Sequence, residues 1–190
     1  IVLSMGTVNA TLQADPPINP MPRPVKATTL HTWDFDGGKG SWLAENQCSL
    51  SADNGLLHVQ STGDDPYLHS PVDLPGGQVL VQLRLRSQVD GPGQVFWTTN
   101  ELPRRSEKQR ADFSIPGDGQ WHETQARFQA PGTLTDVRID PGVKPGAIDI
   151  DWIRVVQEEL HPLSISSVEQ TDGAVRFLVT NHRNAPVALE

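Results

Sequence analysis

The chain is poor in several things at once, and each shortage removes a class of protein. It has one cysteine, Cys48, so no disulfide can close within it, and no zinc-type Cys/His spacing surrounds that residue. Cys48 therefore reads as a small, buried or half-buried hydrophobe. Basic residues are scarce: 15 Lys and Arg face 23 Asp and Glu, a formal charge of −8. That balance argues against a nucleic-acid partner or an anionic membrane surface, both of which need a basic footprint. No apolar run approaches the roughly 18 residues of a membrane-spanning helix. No stretch keeps a 3.6-residue apolar period, so helices are not expected. No nucleophile elbow, phosphate loop or His-Glu-x-x-His pattern occurs. His122 and Glu123 are neighbours on a predicted strand and point to opposite faces.

What the chain has is turns and short β runs. Sixteen glycines and sixteen prolines make up about a sixth of it, against roughly an eighth on average. They fall between apolar stretches. Strands are predicted over 30–35, 49–53, 56–61, 67–70, 78–86, 94–98, 110–115, 121–128, 134–140 and 147–156. The clearest hairpin is at Asn54-Gly55, a pair that supplies the positive φ values of a tight turn. Residues 99–109 read as a long, charged loop. About ten short strands at this spacing predict an all-β sandwich or barrel.

Three segments are expected. Residues 1–29 read as a leader and linker: a weakly apolar start like the tail of a secretory signal peptide, then prolines at 16, 17, 20, 22 and 24 with polyproline character. Residues 30–157 form the β-module. Residues 158–190 hold two more strand patterns, 163–168 and 173–181, with a turn at 182–185. They read as the first hairpin of a second, immunoglobulin-like domain. Two strands bury no core alone, so a longer polypeptide is expected.

Asp149 and Asp151 lie two apart in the strand at 147–156, on one face by strand geometry. Two like charges so close need a compensating cation, basic groups or solvent. As a glycosidase pair they are ill placed, because neighbours on one strand face do not straddle a scissile bond.

The set Trp33-Asp34-Phe35-Asp36…Trp42, Asp53-Asn54-Gly55-Leu56-Leu57, Gly119-Gln120-Trp121-His122 and Ile148-Asp149-Ile150-Asp151-Trp152-Ile153 resembles the β-jelly-roll modules of the galactose-binding-like superfamily. Many carbohydrate-binding modules of secreted glycoside hydrolases belong there. The resemblance implies non-catalytic binding of a polysaccharide or oligosaccharide by a domain of a larger secreted or cell-surface protein. It also implies a structural Ca²⁺ held by Asp36 and Asp151, with Asp149 and Asp34 as substitutes; Asp36 stands where many relatives have Glu. Two other readings stay open: a spacer or protein–protein module with no sugar site, and an accessory domain of a glycoside hydrolase.

Sugar binding needs flat aromatic faces and planar polar groups. Trp33, Trp42 and Trp152 fall in the opening and closing strands and are expected in the core. Trp97 and Tyr67 are the candidate platforms, with the proviso that either Phe96 or Trp97 faces the core. Arg84, Arg86 and Arg138, converging with Asp65 or Asp140, are the candidate polar floor. Their planar, bidentate chemistry also suits uronate or sulfate.

Overall fold

The structure is a computed structural model in which residues 24–161, 163–171 and 174–181 are described. The leader expectation for 1–23 and the turn at 182–185 lie outside them. The chain divides into two compact units, and Ala27–Glu158 is one of them. The other contains an antiparallel hairpin of β10 (Leu163–Thr171) and β11 (Ala174–Asn181).

Nine strands build the larger unit: β1 (Pro24–Trp33), β2 (Leu43–Asn46), β3 (Cys48–Asp53), β4 (Leu56–Ser61), β5 (Tyr67–Ser87), β6 (Gly91–Thr99), β7 (Arg110–Ile115), β8 (His122–Asp140) and β9 (Gly146–Leu160). The pairing order is β3-β4-β9-β5-β8-β6-β7, with β1 beside β9 and β2 beside β5. β1 starts inside the segment expected to be linker. The β3–β4 hairpin forms where Asn54-Gly55 predicts it, with φ of 49° and 74° at the turn.

The main departure from expectation is in β5 and β8. Each joins two runs that the sequence suggests are separate strands. The pairing slips between Pro71 and Leu74 and again between Pro75 and Gly77. Gly77 (φ 101°) and Gly132 (φ 65°) sit at these corners. Positive φ is accessible to glycine at little steric cost, so the two strands bend together without ending. Residues 67–75 pair with β2 and with 133–139, while 77–87 pair with β9 and with 122–130. One sheet thus folds over on itself into a β-sandwich with a jelly-roll character.

Alternation along the strands fills the space between the halves. Val79, Val81, Leu83 and Leu85 of β5 are essentially buried, as are Val137 and Ile139 of β8 and Ile150, Ile153 and Val155 of β9. Trp97 of β6 stacks on Phe128 of β8, ring centroids 3.8 Å apart and 8° from parallel. That contact ties one half to the other. Trp33 and Trp42 close the core edge to face, 5.2 Å apart. Trp152 does not join them. A bulge opposite Arg84 and Leu85 shifts it outward, where the Arg154 guanidinium lies 3.9 Å from its ring.

Candidate functional site: two polar faces of the sandwich

The first face belongs to the half built from β2, the start of β5, the end of β8, β6 and β7. Leu68, Ser70, Val137, Ile139, Val95 and Trp97 point inward. Period-2 geometry then turns Tyr67, His69, Asp136, Arg138, Asp140, Phe96 and Thr98 outward. Register places His69 and Phe96 on either side of Arg138. The guanidinium lies 3.5 Å from the Tyr67 ring centroid and 4.8 Å from that of Phe96. Its Nε and Nη2 donate to the two oxygens of Asp140 at 2.6 and 2.7 Å. Asp65 Oδ1 stands 3.9 Å from Nη2. Burial pushes the Asp140 carboxyl above the ordinary aspartate range, against the pull of the Arg138 hydrogen bonds. Breaking such a half-buried pair from one side costs about 3–5 kcal/mol, so Arg138 and Asp140 also hold the face together.

The face is braced at both ends. Asn46 Nδ2 donates to Asp65 O at 2.6 Å and to Oδ2 at 3.0 Å, and the Asp65 N–H donates to Gln47 Oε1 at 2.9 Å. At the other end Arg105, from the long charged loop, donates to Glu45 at 2.7 Å and to Asp136 at 2.8 Å. Burial raises the Glu45 carboxyl, but the Arg105 hydrogen bond outweighs it and leaves the group below its usual range. His69 Nδ1 shares Asp136 at 2.7 Å. The loop is held by buried Gln109, whose amide donates to the Trp97 and Leu102 carbonyls.

The second face belongs to the other half. Asp149 and Asp151 both point outward there, as their spacing predicts. Arg86 Nε donates to Asp149 at 2.8 Å, and Arg84 pairs with Asp151. His58 bridges Asp149 (2.7 Å) and Asp53 (2.8 Å). The Trp121 ring lies 4.8 Å from both guanidinium carbons.

Several expectations are corrected here. Trp97 is no platform: it is 4% exposed and stacked in the core, with its indole N–H lacking an acceptor among the described residues. Phe96 has the outward parity, but it too is buried, at 6% exposed, beneath the Arg138 guanidinium. The candidate floor does not converge either, since Tyr67, Arg138, Asp65 and Asp140 share one face while Arg84 and Arg86 lie on the other. The acidic strand expected to share a calcium ion is compensated by basic side chains. Asp149 and Asp151 are neutralised by arginines, the Asp36 carboxylate faces the Gly55 turn, and among the described residues no three His, Cys, Asp or Glu side chains gather as metal ligands. Basic groups do the compensating that a cation would otherwise do.

The sequence offered Phe96 only as the alternative to Trp97, and it did not single out His69, Asp136, Glu45, Arg105 or Trp121 as site residues. Phe96 was legible from parity, because Gln94 and Thr98 are polar and share its face. Arg105 carried no such signal; only the loop's return across the face brings it to Asp136.

No protein-family model and no curated protein sequence matches the chain. Solved structures do match. The chain superposes on the structure named BiXyn10A CBM1, in its apo form, with a TM-score of 0.53 at 16% identity, covering 68% of this chain and 98% of that one. It is similar to the N-terminal CBM22-1–GH10 modules of Clostridium thermocellum endo-1,4-β-D-xylanase 10B, complexed with xylohexaose: TM-score 0.53, 15% identity, 70% of this chain and 29% of that one. A variant of carbohydrate-binding module 29-2 complexed with cellulohexaose gives 0.50 at 11% identity, over 70% and 92% of the two chains. The fold is that of carbohydrate-binding modules. Among the described residues no helix is long and apolar enough to cross a membrane.

Proposed function

We propose that the unit 27–158 is a non-catalytic carbohydrate-binding module that holds a larger secreted or cell-surface protein against a neutral polysaccharide. The observation that carries this reading is the Arg138 guanidinium, held between Tyr67 and Phe96 and forked onto Asp140. This arrangement presents the half-buried Tyr67 ring and the edge of a fixed guanidinium, backed by buried Phe96 and Asp140, with acceptors at Asp65 and Asp136 for sugar hydroxyls. The charge balance favours a neutral glycan over a uronate or sulfate. Asp65, Asp136, Asp140 and Glu45 are four carboxylates, set among the described residues against the guanidinium groups of Arg105 and Arg138 and the His69 ring. The fold's neighbours complexed with xylohexaose and cellulohexaose make β-1,4-linked chains the first ligands to try. A single small site of this kind binds weakly and gains from further modules on the same chain. The locking of Asp149 and Asp151 onto arginines supports a binding role over hydrolysis.

The test is affinity electrophoresis of the whole chain through gels of neutral and acidic polysaccharides, followed by calorimetry with xylohexaose and cellohexaose. Retardation by at least one neutral polysaccharide is expected, weakened about tenfold or more by Tyr67→Ala, a loss of roughly 1.4 kcal/mol. A chain that melts normally yet passes every gel unretarded would overturn the reading in favour of a spacer.

A further inference from the structure

The opposite face holds a cavity that the Tyr67 site does not use. It measures about 210 Å³ and is lined by Arg86, Ser87 and Gln88 at the end of β5, Gly119 before β8, and Ala147 and Asp149 of β9. Three separate chain segments meet there, and the meeting is fixed. Ser87 is 2% exposed; its hydroxyl donates to the Val89 carbonyl at 2.8 Å and accepts the Val89 N–H at 3.0 Å. The Gly119 N–H donates to the Ser87 carbonyl at 2.8 Å. Gly119 has φ of 71°, and a Cβ there would run into the Gln88 amide. Glycine thus suits the positive φ and lets the Gln88 amide lie close to the backbone at the cavity.

The polar groups at this cavity are partly committed and partly spare. Asp149 is oriented by Arg86 Nε on one oxygen and His58 Nδ1 on the other. Arg86 makes its ion pair through Nε, so among the described residues its two terminal nitrogens keep their donors. The Gln88 side chain makes no hydrogen bond among the described residues, leaving both an acceptor and a donor. The Trp121 ring flanks Arg86.

We infer that this cavity is a second carbohydrate site, taking a single non-ionic sugar residue at the end of a chain, on the sheet opposite the Tyr67 platform. The inference rests on the proposed function only for the class of ligand. Arg86 and Asp149 cancel in charge, which disfavours an ionic ligand. A sugar hydroxyl both donates and accepts, and so matches spare N–H groups beside carboxylate and amide oxygens. The volume is below the roughly 300–1,000 Å³ of pockets for drug-sized molecules, which suits one ring and not several. With sites on both sheets, one module can bridge two glycan chains.

The experiment is a nitrogen-15 NMR titration of the whole chain with free D-glucose, D-xylose, D-galactose, D-mannose and L-arabinose. The signals followed are the Trp121 indole N–H, assigned through Trp121→Phe, and the Gly119 amide. Saturable shifts of both with at least one sugar are expected, with a loss of affinity of about tenfold or more in Gln88→Ala. Gln88 is exposed and unpaired, so that variant should fold as the parent does. Arg86→Leu should also lose the shifts, but it frees Asp149 and tests the fold as well as the site. Tyr67→Ala should leave them intact. The inference is overturned if no sugar shifts these signals saturably, or if Gln88→Ala leaves the affinity unchanged. Binding of xylohexaose or cellohexaose sensitive to Tyr67→Ala, with no response at Gly119, would sink this site and leave the proposed function standing. A Gly119 response in a chain no polysaccharide retards would do the reverse.

Discussion

His58 has a carboxylate on each ring nitrogen, Asp149 on Nδ1 and Asp53 on Nε2. Only the doubly protonated ring donates to both. The hydrogen bond to Asp149, then that to Asp53, raises its pKa above the ordinary histidine value. A group whose pKa is higher folded than unfolded stabilises the fold most fully below the unfolded value, and that contribution fades as pH rises through the folded one. Asp149 behaves oppositely. Burial raises its carboxyl, but His58 and Arg86 outweigh this and hold it low, so it stays ionised until well into the acid range. The melting-point deficit of His58→Gln should therefore be larger near pH 5.5 than near pH 8.5, values on either side of the ordinary histidine pKa of about 6.5. Equal deficits at the two pH values would show that the bridge does not depend on the proton. The acidic pair itself was legible, since period 2 puts Asp149 and Asp151 on one face. Their partners were not, because Arg86 and His58 reach Asp149 from strands 63 and 91 residues away in sequence.

At the scale of elements, the corners of β5 and β8 decide the architecture. Gly76 is buried where the two strands bend, and a Cβ there would fall far inside contact distance of the Ala130 and Gly132 carbonyl oxygens. Gln157 Nε2 donates to the Gly76 carbonyl at 2.5 Å, fixing the corner from β9. Backbone cannot retreat as a side-chain tip can. Gly76→Ala should therefore destabilise by about 1–3 kcal/mol, as overpacking does, and lower Tm by several degrees. Thermal denaturation of that variant is the check, and an unchanged Tm would mean the corner yields freely. In sequence, Pro75-Gly76-Gly77 and Pro131-Gly132 look like strand ends. They are bends within strands because each continues into a new set of partners, and local turn chemistry holds no record of those partners.

For the whole molecule, the arginines decide how acidic strand β9 is stabilised. With Arg84 and Arg86 paired to Asp151 and Asp149, a structural cation has no unmet charge to satisfy on that strand. Chelation should leave the melting temperature unchanged. A cation bound only to the folded state at a hundred times its Kd would add about 2.7 kcal/mol, so a Tm that fell with chelator and recovered with Ca²⁺ would overturn this account. The same arrangement separates two polar faces, one on each sheet. That separation makes the two proposed sites independently testable, because variants at Tyr67 and Gln88 share no partner among the described residues.

The sequence by itself determined the class of the protein. Alternating apolar residues, Asn54-Gly55 and the Pro/Gly punctuation specify strands and turns through local backbone physics, and the shortage of basic residues follows from composition alone. The outward direction of Tyr67, Arg138 and Asp149 also comes from period 2. Only the tertiary structure decided which outward residues meet. It brought Arg138 between Tyr67 and Phe96, sent Trp97 inward onto Phe128, put Arg84 and Arg86 on the opposite sheet, and returned Arg105 to Asp136. Those contacts depend on strand pairing across long sequence separations and on how a single sheet folds over, and no local rule fixes either.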